Sequence, residues 1–197
     1  DEGETIQTII NVQAEHDDNS YLFFTTRYGV VKRTSVTEFA NIRQNGLKAL
    51  NLKDEDELIN VFLTNGQADI IIGTKMGYAV RFNENQVRNM GRAATGVRGV
   101  NLRAGDHVVG ASVISDDQEV LVITEKGYGK RTLASEYATK SRGGKGMKTA
   151  NITEKNGPLA GLMAVNGDED LMIITNTGVI IRTNVANISQ TGRATLG

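Results

Sequence analysis

A pattern of about 50 residues recurs four times in this 197-residue chain and limits the folds that it can adopt. Each copy contains a short apolar run that ends in Thr-x-x-Gly, and an arginine follows four residues after the glycine. These glycines and arginines are Gly29, Gly77, Gly127 and Gly178, then Arg33, Arg81, Arg131 and Arg182. A second glycine recurs at a similar interval, as Gly46, Gly96, Gly146 and Gly197. The sequence therefore predicts an array of similar units that pack on their neighbours.

Each copy has the pattern of β-strands, because its apolar runs are short, rich in β-branched residues and bounded by turn residues. Thr-x-x-Gly between two such runs predicts a tight hairpin whose glycine has a positive φ. The second hairpin strands are predicted at Val30–Thr34, Tyr78–Phe82, Gly129–Leu133 and Val179–Thr183. Third strands are predicted at Leu47–Leu52, Val97–Leu102 and Met147–Ile152, and fourth strands at Leu58–Leu63, Val108–Ile114 and Leu159–Val165.

Four strands in about 50 residues are typical of a propeller blade, so we predict an all-β, propeller-like array. The repeats are predicted at 20–65, 68–115 and 118–166, followed by a partial repeat at 169–197. Residues 1–15 hold a further strand, Thr5–Val12, which matches the fourth strand of a preceding repeat. We expect this strand to complete the open edge of a neighbouring blade, and the chain to be a fragment of a longer array.

The composition excludes several classes of functional site. The chain has no cysteine, and its two histidines lie far apart in the sequence, so thiolate zinc sites and histidine-rich metal clusters are excluded. Asp106 beside His107 is interpreted as a turn, and 143–149 lacks the second glycine of a phosphate-binding P-loop. We expect no catalytic site, no metal and no cofactor, and with no targeting segment or membrane span we expect a cytoplasmic protein.

Basic residues and glycines recur together in the loop before each second glycine. The net charge is −1, but the segment from Arg81 to Lys148 carries 12 basic and 7 acidic residues. Acidic residues concentrate in the turns 54–57, 116–119 and 168–170, which predicts one basic and one acidic rim. Cations repeated at equal intervals along a rim suit a phosphate backbone. In the alternative interpretation, the arginines pack on the next blade or the loops contact an acidic protein.

We distinguish two sets of cations. The arginines that directly follow the hairpins lie on strands, where a structural role is at least as well supported as DNA contact. The loop cations are expected to have fewer packing contacts, so we assign phosphate contacts to them and to the basic residues beside the second glycine. The predicted DNA-binding residues are Arg43, Lys48, Arg92, Arg98, Lys140, Arg142, Lys145, Lys148 and Arg193.

Several motifs together resemble the C-terminal domain of DNA gyrase A, of the Gram-positive type. They include Leu22-Phe-Phe-Thr-Thr-Arg-Tyr-Gly-Val-Val-Lys-Arg-Thr34, Thr124-Glu-Lys-Gly-Tyr-Gly-Lys-Arg-Thr132 and Ser141-Arg-Gly-Gly-Lys-Gly146. The likeness covers essentially the whole chain. The corresponding domain of topoisomerase IV is the nearest alternative, since it shares the fold but has more degenerate repeats.

The resemblance implies a β-pinwheel, in which neighbouring blades exchange a strand and duplex DNA wraps around a basic outer edge. It implies a non-catalytic, nucleoid-associated domain that supports negative supercoiling, with the rest of gyrase A and, through it, gyrase B as partners. The family's Gln-Arg-Arg-Gly-Gly-Lys-Gly box is best matched by Lys140, Ser141, Arg142, Gly143, Gly144, Lys145 and Gly146, which depart from it at the first two positions. This box-like copy lies in the third complete repeat, whereas the family's box lies in the first blade.

Overall fold

The computed structural model describes residues 6–10, 19–40 and 46–195, and the part of the chain that it describes is built from β-strands and short 3₁₀ turns. The strands are β1 Tyr21–Thr26, β2 Val30–Ser35, β3 Leu58–Thr64, β4 Asp69–Thr74, β5 Tyr78–Asn83, β6 Val97–Arg98, β7 Val108–Ile114, β8 Glu119–Thr124, β9 Gly129–Leu133, β10 Met147–Lys148, β11 Leu159–Val165, β12 Asp170–Ile174 and β13 Ile180–Asn184. The 3₁₀ turns are Val36–Phe39, Glu84–Gln86, Ala134–Glu136 and Val185–Asn187. The predicted all-β class is confirmed.

The four predicted hairpins are present as the antiparallel pairs β1–β2, β4–β5, β8–β9 and β12–β13. In the first turn, the Gly29 amide donates to the Thr26 carbonyl over 3.1 Å, and the Val30 amide donates to Thr26 Oγ1 over 3.1 Å. The turn glycines have φ values of 83°, 90°, 87° and 87°. This left-handed conformation strains residues that carry a Cβ, which explains why glycine recurs at this position.

The outermost strand of each four-stranded sheet belongs to the next repeat. The strand orders are β3-β1-β2-β6, β10-β5-β4-β7, β11-β8-β9 and β12-β13. Strand β6 lies in the second repeat but pairs with β2 of the first, through Val30 opposite Arg98 and Val31 opposite Val97. Strand β10 of the third repeat pairs with β5 of the second in the same way. This is the exchange of strands that the resemblance implied.

The third strands are shorter than predicted, and the first of them is absent. Val97–Leu102 and Met147–Ile152 reduce to the two-residue strands β6 and β10, while Leu47–Leu52 forms no strand. After β6 the chain folds around the hairpin turn, because the amides of Gly99 and Val100 both donate to the Gly29 carbonyl. Residues 47–52 have no preceding hairpin among the described residues with which to exchange, which explains the missing first strand.

The N-terminal strand predicted at Thr5–Val12 is wrong for residues 6–10, which carry no strand; the rest of that range lies outside the described residues. Ile6 and Ile9 are 84% and 90% exposed, so they complete no sheet edge. The physical reason for three of the sheets is that β1, β4 and β8 already pair with the fourth strand of their own repeat, whereas β12 pairs only with β13 among the described residues.

Neighbouring sheets pack face to face around apolar clusters. Phe23 and Val31 of the first sheet meet Ile70, Ile72 and Phe82 of the second, and similar clusters join the second sheet to the third and the third to the fourth. Strand β7 contacts both β3 and β11, and these three strands form the inner side of the array. The exchanged strands β6 and β10 lie at the opposite edges of their sheets, and therefore on its outer side.

The arginines on the second hairpin strands join each sheet to the next repeat. Arg33 Nη1 lies 3.1 Å from Glu84 Oε1, whose side chain is fully buried. Arg81 forms ion pairs with two aspartates and donates to two carbonyls of the next repeat, Ala134 O at 3.0 Å and Tyr137 O at 3.2 Å. Arg131 likewise donates to Ile188 O over 2.8 Å. The structural interpretation of these three arginines is confirmed.

Two lysines are also buried. Lys32 and Lys130 are 0% and 1% exposed, and both precede one of these arginines. Burial lowers the pKa of Lys32 to about 8, and it lowers the pKa of Lys130 to about 8 although Glu136 acts in the opposite direction. Their ammonium groups donate to backbone carbonyls of loops at the outer edge.

Arg81→Met is expected to lower the free energy of unfolding by about 3–5 kcal/mol, because it removes a buried guanidinium that pairs with Asp69 and donates to two carbonyls of the next repeat. Arg182 occupies the same position in the fourth repeat but has a 72% exposed side chain that pairs only with Asp170 among the described residues. Arg182→Met should therefore change stability little. Urea unfolding of both variants measures the two changes in the free energy of unfolding. Equal losses would contradict the conclusion that Arg81 joins its sheet to the next repeat.

The two buried lysines predict that stability rises with pH. Because their folded pKa lies below the unfolded value of about 10.4, the unfolded chain binds more protons between these values. The free energy of unfolding should therefore increase from about pH 8 to 9.5, and this gain is lost as the pH falls back towards 8, below which the two lysines cause no further change. Urea titrations at each pH test this, with Lys32→Met expected to show a smaller rise. A flat profile in the unmodified chain would contradict the lowered pKa values.

Candidate nucleic-acid interface

The exchanged strands present cations at the outer edge of the sheets. Side chains alternate in direction along a strand, so Val97 of β6 and Met147 of β10 pack against the core while Arg98 and Lys148 are exposed. Lys48 occupies the same place in the first repeat and is also exposed, although its segment forms no strand. All three cations beside the second glycine are therefore exposed, and their predicted contact with phosphate stays a prediction.

The second glycines allow these edge strands to approach their partners. Gly96 and Gly146 have φ values of 110° and 85°. A Cβ at Gly96 would lie 2.4 Å from the Val31 carbonyl oxygen, and one at Gly146 would lie 2.7 Å from that of Ala79. Only glycine fits such contacts with backbone atoms, so the recurrent second glycine is a requirement of strand exchange.

Each basic loop lies across the segment that follows the edge strand of the preceding repeat. Asn101 N donates to Gly144 O over 2.8 Å, and Asn151 N donates to Thr195 O over 3.0 Å. The corresponding contact in the first repeat, from Asn51 N, is longer at 3.4 Å. As a result, the cations of one repeat's loop lie beside the edge-strand cation of the repeat before it.

The loop arginines are more tightly held than predicted. Arg142 Nη1 donates to the carbonyl of Arg98 over 2.6 Å, and Arg193 Nη1 donates to that of Lys148 over 2.9 Å. Arg142 Nε also donates to Gln86 O over 3.2 Å. The expectation that loop cations have few packing contacts is therefore wrong for Arg142 and Arg193. Both arginines join repeats, so their replacement would change stability and binding together.

The exposed lysines of the box-like loop differ from its arginine. Lys140 and Lys145 are exposed, as are Ser141 and Gly144, while the Gly143 amide donates to the Gly99 carbonyl over 2.9 Å. Within residues 6–10, 19–40 and 46–195, no carboxylate pairs with any of the exposed cations Lys48, Arg98, Lys140, Lys145 and Lys148. Arg92 is half-buried. Arg43 lies outside the described residues.

The acidic turns do not form a single rim, contrary to expectation. Turn 54–57 lies beside the first hairpin turn, since Arg27 N donates to Glu57 O over 2.8 Å. Residues 116–119 follow β7, whose last residue pairs with the first residue of β4, so they lie at the opposite end of the sheets. Acidic turns therefore occur at both ends, and the outer edge between them carries the exposed cations.

Sequence reasoning missed the buried lysines. Lys32 Nζ donates to the carbonyls of Ala49 and Arg92 over 2.6 and 2.5 Å, and Lys130 Nζ donates to those of Gly192 and Arg193 over 2.8 and 2.6 Å. The available signal was the Lys-Arg pair in the first and third repeats. It was obscured because lysine is rarely buried.

The other candidate for a functional site, Asp106 beside His107, makes structural contacts. Asp106 Oδ1 accepts from the amides of Met76 and His107, both at 2.9 Å, which confirms its interpretation as a turn residue. The described residues contain no cluster of three acidic, histidine or cysteine side chains suited to a metal ion. None of their helices is long and apolar enough to cross a membrane.

Comparisons with known proteins agree with this architecture. A family model described as DNA gyrase C-terminal domain, beta-propeller matches residues 20–65, 68–115, 118–166 and 169–197. The DNA gyrase A protein of Streptococcus pneumoniae is 79% identical over the whole chain. The chain spans only 24% of that relative's length.

Solved structures show the same relationship. The C-terminal domain of a DNA gyrase A superposes with a TM-score of 0.85 at 25% identity, covering 100% of this chain and 70% of the other. The C-terminal domain of a DNA topoisomerase IV gives 0.86 at 30% identity, covering 91% of this chain and 56% of the other. With the repeats, the exchanged strands and the family match in agreement, the chain belongs to the DNA gyrase C-terminal domain family of β-propellers.

Proposed function

We propose that this chain binds duplex DNA along the outer edge of its sheets, independently of base sequence, and wraps the DNA around that edge. The observation that carries the proposal is the recurrence of an exposed, unpaired cation on the outermost strand of successive sheets, Arg98 on β6 and Lys148 on β10. The names of its relatives, which are DNA gyrase subunits, support the same conclusion.

The chemistry of the edge fits a phosphate backbone. Lysine and arginine contacts to phosphate release counterions, and they carry no information about base sequence. Loop cations such as Lys145 lie beside edge-strand cations of the preceding repeat, because Arg103 Nη1 donates to Lys145 O over 2.8 Å in the segment after β6. Each boundary between repeats therefore concentrates positive charge.

The curvature of the array supports wrapping. The inner strand β7 contacts both β3 and β11 while the exchanged strands lie at the opposite edges of their sheets, so we infer that the outer cations follow a curved line. DNA that contacts all of them must bend. Bending a site of 20–30 base pairs costs on the order of 1–6 kcal/mol, which additional phosphate contacts offset.

Beyond DNA binding, we propose that the chain is a non-catalytic accessory domain of DNA gyrase A that supports negative supercoiling. We propose that ATP-dependent strand passage belongs to the rest of gyrase A and to gyrase B, and that the chain acts at the nucleoid in the cytoplasm. Asp106, which could in principle act as an acid or base, instead accepts hydrogen bonds from the backbone amides of Met76 and His107.

Replacing Arg98, Lys145 and Lys148 together by glutamine should weaken binding to all duplexes alike. The plot of log K against log salt concentration should flatten by about 0.9 per lost phosphate contact. The melting temperature should barely change, because these exposed side chains have no described ionic partner. Fluorescence anisotropy with two unrelated duplexes, between about 50 and 200 mM salt, measures affinity and slope.

Arg182→Gln is the matched control, since it removes one exposed positive charge that is already paired with Asp170. Its salt slope should equal that of the unmodified chain. The localisation to the outer edge would be wrong if the triple variant kept its slope or if Arg182→Gln lost as much. Absence of duplex binding by the unmodified chain at about 50 mM salt would instead favour a protein-contact role.

Wrapping predicts a topological effect. Relaxed plasmid incubated with the chain and then resealed by a topoisomerase I should show a shifted linking number after the protein is removed. The triple glutamine variant should give a smaller shift at the same protein concentration. Clear binding without any shift would contradict wrapping by this chain and leave binding alone.

A further inference from the structure

We infer that Lys32 and Lys130 are positioning residues for the DNA-binding surface: each holds the basic loop of the next repeat in the conformation that presents its cations. The role in DNA binding rests on the proposed function, whereas the ordering of the loops does not. Neither lysine touches solvent, because their exposures are 0% and 1%. They therefore act on DNA only through the loops.

The two lysines make equivalent contacts in different repeats. Lys32 on β2 donates to Arg92 O of the following repeat at 2.5 Å, and Lys130 on β9 donates to Arg193 O of its following repeat at 2.6 Å. Each lysine also donates to a second carbonyl, that of Ala49 or Gly192. Because an ammonium group has three donors, Lys130 fixes two carbonyls of one loop, whereas Lys32 joins the loop carbonyl of Arg92 to Ala49 O of its own repeat.

The second repeat provides an internal comparison. Val80 occupies the place of the lysine there, and the corresponding loop, 140–147, is separated from the sheet by a cavity of about 210 Å³. Val80, Lys145 and Met147 line this cavity. Hydrogen bonds of Arg142 to Gln86 and Arg98 hold this loop without a lysine beneath it, and Arg193 makes the equivalent contact to Lys148 in the loop that Lys130 holds. Where valine replaces the lysine, the loop therefore lacks the contacts to its carbonyls that the lysines make at the other two boundaries.

The physical reason for lysine is that backbone carbonyls beneath a loop need donors. A buried carbonyl without a partner costs about 1–3 kcal/mol, and a glycine-rich loop has more conformations to lose when it is ordered. An ammonium group at the end of a flexible chain reaches carbonyls across the boundary between repeats, which the short side chain of valine cannot do. The donors of the buried lysine are thereby used to order the loop rather than to contact phosphate.

The test uses the absence of cysteine from the chain. In Lys32→Cys, the single thiol is alkylated in urea and the protein is then refolded. Bromoethylamine adds an aminoethyl group with loss of bromide, giving a side chain of the length of lysine with a terminal ammonium group. Propyl bromide gives a neutral side chain of the same length, which serves as the matched control.

Without DNA, hydrogen exchange reports the order of the loop. In the propyl form, the amides of Asn51 and Ala94 should exchange about tenfold faster than in the aminoethyl form, since about one hydrogen bond of stabilisation is lost. The amide of Ile71 in the core should exchange equally in both forms. Equal protection of Asn51 and Ala94 in both forms, or an equal loss at Ile71, would overturn the inference by showing that the lysine only fills space or supports the whole fold.

With duplex DNA, the propyl form should bind more weakly and with a flatter salt slope, and the aminoethyl form should recover both. Loop exchange that changes while affinity and slope do not would overturn the positioning role in DNA binding. Lys130→Cys, with the amides of Asn151 and Thr195 as reporters, repeats the test if Lys32→Cys does not refold. If the unmodified chain does not bind DNA, the proposed function fails, and the exchange comparison still decides whether the lysines order the loops.

Discussion

The outermost strand of each complete sheet is supplied by the following repeat, and most other features of the molecule depend on this exchange. It pairs the strands that carry Val97 and Met147 with the hairpin of the preceding repeat, and it leaves Arg98 and Lys148 facing outward. It also requires the second glycine, because any Cβ at Gly96 or Gly146 would collide with a backbone carbonyl. Cohesion between repeats and the exposure of cations therefore have the same structural origin.

Basic residues in this chain have two different roles, which depend on the direction in which the backbone points them. Arg33, Arg81 and Arg131 lie on the second hairpin strands, where they meet carboxylates and carbonyls at the boundary between repeats. Cations on the edge strands point away from that boundary and have no carboxylate partner among the described residues. A net charge of −1 is compatible with a basic edge because acidic residues concentrate in turns at both ends of the sheets rather than along that edge.

Much of the fold was predictable from the sequence because glycine and β-branched residues have strong local preferences. The Thr-x-x-Gly hairpins follow from the positive φ of Gly29 and its equivalents, and the fourth strands from runs such as Val108–Ile114. The third strands were predicted too long, since their length depends on how the chain folds around the hairpin of another repeat. No local pattern encodes that contact.

The candidate interface was predictable only in part. The exposure of the cations beside the second glycine follows from the alternation of side chains along a strand. The structural role of Arg142 and Arg193 depends on hydrogen bonds to carbonyls of the preceding repeat. The burial of Lys32 likewise depends on a loop that follows it by about 60 residues in the sequence. Repetition in sequence identifies equivalent positions, whereas their environments are decided by tertiary contacts.

The most direct test of the account is hydrogen exchange of the chain with and without duplex DNA at low salt. DNA on the outer edge should slow exchange in β6, in β10 and in the loop 140–146, and leave the turns 116–118 and 166–169 unchanged. Protection that appears in those turns or along the inner strands β3, β7 and β11, with none at β6 and β10, would contradict the outer edge as the DNA-binding surface.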